Sequence, residues 1–123
     1  MTEPTFREAL ADALTLPDGW TLAPYENALD HIDRPTLLLR YEGFELAGVD
    51  ARTHAFKHNF QAVLISPVSG DTEAADADLD QLLSPAMDAL NAIEWVQVTT
   101  GEKRTWNDLH SCFQLTLNFY APL

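Results

Sequence analysis

Bases, cysteines and long apolar runs are all scarce in this chain. It has 123 residues with 19 acids against 7 lysines and arginines, a formal net charge of −12 with histidine neutral. Such a charge repels the phosphates of a duplex and an anionic bilayer alike, so either partner would require a local basic patch. The bases are spread from Arg7 to Arg104, and Lys103-Arg104 is the only adjacent pair. The single cysteine, Cys112, has no internal partner, which excludes a disulfide-stapled scaffold. Met1-Thr2-Glu3-Pro4-Thr5 carries an acid where a secretory leader needs bases, and apolar runs such as Ala62-Val63-Leu64-Ile65 fall far short of the ~20 residues that span a bilayer. The chain is therefore expected to be soluble, unprocessed and free of the membrane.

What is present is 46% apolar and 10% aromatic, the composition of a packed domain rather than an acidic tail. One domain spanning residues 1–123 is expected, long enough to bury about two thirds of its unfolded surface without a metal or disulfide. Thr5-Phe6-Arg7-Glu8 matches a capping box, and Phe6, Ala9, Leu10, Ala13 and Leu14 follow at helical spacing until Pro17-Asp18-Gly19. Trp20 to Ala23 reads as a short strand. Thr36 to Tyr41 reads as a second strand, buried on both faces over its first half. From His54 to Ser66 the even positions include Phe56, Phe60, Ala62 and Leu64, while Lys57, Asn59 and Gln61 are polar, the period of a half-buried strand that Pro67 ends.

Leu79, Leu82, Leu83, Ala86, Leu90 and Ile93 then predict a long amphipathic helix from about Glu73 to Ile93. Pro85 lies inside it and is read as a kink, the alternative being a fresh helix capped by Ser84. Trp95 to Thr99 is a predicted strand, Gly101 to Asp108 a loop, and Leu109 to Tyr120 the last strand. In that strand Leu109, Phe113, Leu115, Leu117 and Phe119 are expected in one core row under Leu79, Leu83 and Leu90. The order α-β-β-β-α-β-β predicts an α+β fold: a mostly antiparallel sheet of about five strands, two helices on one face and a polar second face.

Motifs for chemistry are mostly broken. Asp76-Ala77-Asp78-Leu79-Asp80 opens like a calcium loop, but Gln81 stands where the turn needs glycine and Met87 where closure needs glutamate. Those acids suit a helix N-terminus instead. His54 and His58 are about 13 Å apart along a strand and cannot share a metal. His110 and Cys112 lack a third ligand, and Cys112 reads as a small buried filler. No serine has the setting of a nucleophile elbow. Gly43 and Gly48 have the glycine spacing of a P-loop, but Val49 and Asp50 follow where lysine and serine or threonine are required. Nothing here argues for an enzyme, a cofactor or a metal.

Two segments carry apolar residues where connections are expected. Gly43 to Arg52 holds Phe44, Leu46 and Val49, which either fold back on the core or bury against another subunit, with Arg52 beside them. Trp106, next to Lys103 and Arg104, is either a lid on the sheet edge or an interface anchor.

Gly19-Trp20 leading a short strand, Arg34-Pro35-Thr36-Leu37-Leu38-Leu39, the strand ending Leu64-Ile65-Ser66-Pro67, the acidic helix from Ala75 through Leu83 and a final hairpin together resemble the tail terminator proteins of long-tailed bacteriophages, particularly those of actinobacteria. Pro85 departs from that pattern. The resemblance covers nearly the whole chain and implies a virion protein assembled in the host cytoplasm. Such a protein forms a hexameric ring on the tail tube protein at the head-proximal end of the tail, stops tube polymerisation and joins the head-tail connector protein. DNA would pass through the lumen without specific binding. Phe44, Leu46, Val49 and Arg52, with Lys103, Arg104 and Trp106, would contact a neighbouring subunit or the tube. A monomeric acidic inhibitor of immunity type, or another neck or adaptor protein of the particle, fits the same composition.

Overall fold

The computed structural model describes residues 6–24, 32–46, 56–69, 73–106 and 109–121. Its elements follow the order α1 (Phe6–Ala13), β1 (Thr21–Ala23), β2 (Thr36–Leu46), β3 (Phe56–Ser69), α2 (Glu73–Asn91), β4 (Gln97–Trp106) and β5 (His110–Ala121). The strands form one sheet in the order β1-β2-β3-β5-β4. Only β1 and β2 run parallel; the other three pairings are antiparallel. This is the expected α+β fold, with the same order of elements.

Alternation puts Leu37 and Leu39 of β2, Phe60, Ala62 and Leu64 of β3, and Leu115, Leu117 and Phe119 of β5 on one face. Leu10 and Leu14 from α1 and Leu79, Ala86, Ala89 and Leu90 from α2 close over them as the main core. The centre of β2 is buried on both sides, since Leu37, Leu38 and Leu39 are all inaccessible to solvent. α2 continues through Pro85 as one helix, because Leu79, Ala86 and Leu90 keep a single buried face on either side of it. No helix among the described residues is long and apolar enough to cross a membrane.

Four expectations are corrected. The loop expected from Gly101 to Asp108 is strand as far as Trp106, for β4 runs on to that residue as the outermost strand, and residues 107–108 lie outside the described residues. An edge strand exposed on both faces carries no apolar alternation, so its polar sequence imitates a connection. Phe44 likewise belongs to β2 rather than to a loop: Glu42 is the extra residue of a bulge between Tyr41 and Gly43, and Gly43 takes φ of +134°, which a side chain would oppose. β3 passes Pro67 because that proline falls in the irregular stretch between Ile65 and Ser69, where no ladder bond is demanded of it. Leu109 leaves the core row, being 58% exposed in the turn before β5, where its N–H donates to the Trp106 carbonyl. Phe113 stays on the helix side but is only half-buried.

The second face is also less polar than expected. Ala23, Ile32, Leu38, Val63, Ile65 and Cys112 form a small second core there, and Trp106 packs against it. The row from Lys57 through Asn59 and Gln61, with Gln114, Thr116 and Asn118 of β5, keeps the rest of that face polar.

Candidate functional site

At one end of the sheet, past the Tyr41 bulge, the helix-side row is aromatic. Phe44 pairs with His58 across β2 and β3, and His58 with Phe119 across β3 and β5. Phe44 meets the edge of Phe56 with centroids 5.4 Å apart, His58 lies 5.3 Å from Phe119, and Trp95 stands perpendicular to Phe119 at 5.0 Å. The Tyr41 hydroxyl and His58 Nδ1 are 3.1 Å apart, and desolvation raises the Tyr41 pKa. His58 is fully buried, whereas Phe44 is 51% and Trp95 44% exposed. The cluster therefore has a fixed, buried base and an aromatic rim in water. Leu46 is in register with Phe56 at the end of β2; Val49 and Arg52 lie outside the described residues, as does His54.

The opposite end is held by polar bonds. Ser66 is buried, donates to Asp78 Oδ2 at 2.6 Å and accepts from the Val68 N–H at 3.2 Å. Its carbonyl accepts from His110 Nδ1 at 2.9 Å. Asp76 receives Lys103 Nζ at 2.7 Å and Ser111 Oγ at 3.2 Å. The Lys103 hydrogen bond holds the Asp76 carboxyl below its ordinary range, with the lysine charge and Ser111 adding to it against some desolvation. The acids read as dipole partners of a helix thus also bolt α2 to β3, β4 and β5.

Lys103 and Arg104 do not act together. Lys103 faces α2, while Arg104 pairs with Glu102 on its own strand. Trp106 lies against the second core, with the Arg40 guanidinium 5.8 Å from its ring centroid. Cys112 is buried in that core, and desolvation pushes its thiol above the ordinary range. Among the described residues, no group of three or more histidines, cysteines and carboxylates is placed to hold a metal ion. A groove of about 340 Å³ opens between α2 and β4, lined by Leu83, Met87, Val98, Phe113 and Leu115 with Thr99 to Gly101 at its lip.

Sequence reasoning misses the aromatic chain, the polar bolt and the groove. His58 shares the even positions of Phe56 and Phe60, so the signal for the chain is there, although its spacing from His54 draws attention to it only as a ligand. The Ser66–Asp78 and Asp76–Ser111 bonds join residues 12 and 35 positions apart and leave no local pattern. No protein-family model matches this chain, and no curated protein sequence matches it.

Proposed function

We propose that this chain is a virion structural protein of a long-tailed bacteriophage. In this reading it forms a ring, hexameric by the family resemblance, at the head-proximal end of the tail. It caps the tail tube protein, ends tube polymerisation and presents a joint to the head-tail connector protein. It acts by surface contact without catalysis or cofactor, and is assembled in the host cytoplasm. The observation that carries the reading is the aromatic end of the sheet: Phe44 stands half in water on a base of Phe56, His58 and Phe119. A rigid aromatic presented this way suits an interface anchor.

Two features add support. The element order and the sheet covered on one face by helices are those that the family resemblance leads one to expect. A net charge of −12 suits a lumen through which DNA slides without sticking. Burying the exposed part of Phe44 at each contact contributes about 1 kcal/mol, and closure of a ring multiplies it.

The test replaces Phe44 by serine in cells assembling tails. The expected result is a folded protein that no longer caps, seen as tubes of uncontrolled length. Tails of normal length would move the contact elsewhere. A parent protein that stays monomeric and binds a basic enzyme in equal proportion would favour the acidic inhibitor.

A further inference from the structure

The outer edge of β4 is the longest unshielded stretch of backbone among the described residues. Gln97 and Thr99 to Thr105 are exposed, and beyond the irregularity at Val98/Thr100 the strand runs from Thr100 to Trp106 in unbroken register with β5. Such an edge invites another strand. Its charges decide which strand fits. Gly101 and Lys103 lie on the helix side, opposite Leu115 and Phe113; Thr100, Glu102, Arg104 and Trp106 lie on the other.

The geometry points to a second copy of this chain, paired antiparallel through β4 about a two-fold axis at Lys103. An axis perpendicular to the sheet keeps each copy's faces aligned, so only registers centred on a residue are allowed. Centring on Glu102 sets two carboxylates face to face, and centring on Arg104 sets two guanidiniums face to face. Centring on Lys103 places Glu102 opposite Arg104 of the second copy twice over, an exchange of the pair each strand already makes within itself. The two central ammoniums are drawn away toward α2, because each Lys103 is held by its own Asp76 at 2.7 Å. Thr105 of the second copy then meets Gly101, which presents no side chain to it and where an added Cβ would come within 3.0 Å of Leu115 Cδ2. Its methyl group reaches the lip of the groove between α2 and β4.

The pairing is isologous and closes on itself, so it shields the edge without open-ended growth. It is separate from the head-to-tail contact that a ring requires, and its failure would leave the ring reading untouched.

Sedimentation equilibrium on the full chain tests it with Glu102→Lys and Arg104→Glu. An interface of one strand and a groove lip belongs to the small, weak class, so measurements extend to about 100 μM. Without the tail tube protein, on which the proposed ring forms, the parent should dimerise over that range and each variant alone should be monomeric, since each sets like charges opposite one another. An equimolar mixture of the two should dimerise again. In that mixed pair the lysine introduced in one copy faces the glutamate introduced in the other, and the retained Arg104 faces the retained Glu102. Melting temperatures near the parent's would show that both variants fold. A monomeric parent, variants that dimerise alone, or a mixture that stays monomeric would each overturn the proposal.

Discussion

The two ends of the sheet are finished in different ways. At the Ser66 end, hydroxyls, carboxylates and a lysine from four elements satisfy one another within the chain. At the Phe44 end the sheet finishes in rings, and the outermost of them stand half in water. A polar end bonded to itself has little left to offer a partner. An aromatic end on a buried base gains by being covered, at small conformational cost because an aromatic side chain has few torsions to fix. The difference separates side chains that satisfy one another within the chain from those left half in water.

Substitutions at the shared centre set the scale against which the two ends are compared. Phe60 is fully buried and stacks on Tyr41 and Phe119, so Phe60→Ala should lower stability by about 3–5 kcal/mol in urea unfolding. At the polar end, Ser66→Ala removes the acceptor of the Val68 N–H and the donor to Asp78. A loss of about 1–3 kcal/mol is expected by the same measurement, since both partners lose a bond in a half-dry setting.

The Asp76 bolt gives a smaller effect that depends on pH. Its folded-state pKa lies below the ordinary value, so the contribution is present above about pH 4 and fades as pH falls through that value toward the folded one. Asp76→Asn should therefore melt below the parent at pH 6 and converge with it toward pH 3. Parallel melting curves across that range would remove the ion pair from the account. The smallest effect belongs to the aromatic end, where Phe44→Ser should change stability by about 1 kcal/mol or less because half the ring is already in water. A loss as large as that of Phe60→Ala would mean that Phe44 belongs to the core.

Most of the fold is legible in the sequence because its central strands alternate and its long helix steps by three and four. Phe60, Leu64, Leu115 and Leu117 announce their side through period two, and Leu79, Ala86 and Leu90 through helical spacing. β4 is hidden for the opposite reason, since Glu102, Lys103 and Arg104 have solvent on both faces and show no period. Phe44 stands out by its apolar character while its place in β2 does not, because the extra residue Glu42 breaks the alternation. Lys103 and Arg104 look like one basic spot in the sequence, yet adjacent strand residues point to opposite faces and the two cations have different partners. Trp106 packs on the second core beneath the Arg40 guanidinium, a placement that its sequence neighbours Lys103 and Arg104 do not announce.

The central claim is that this protein caps a tube through a closed ring. Electron microscopy of tail tubes assembled with the purified protein, viewed at their ends and measured along their length, tests it most directly. The account predicts a ring of density at one end of each tube and a narrow distribution of lengths, both lost with Phe44→Ser. Bare tube ends and the same broad lengths with and without the parent protein would contradict it.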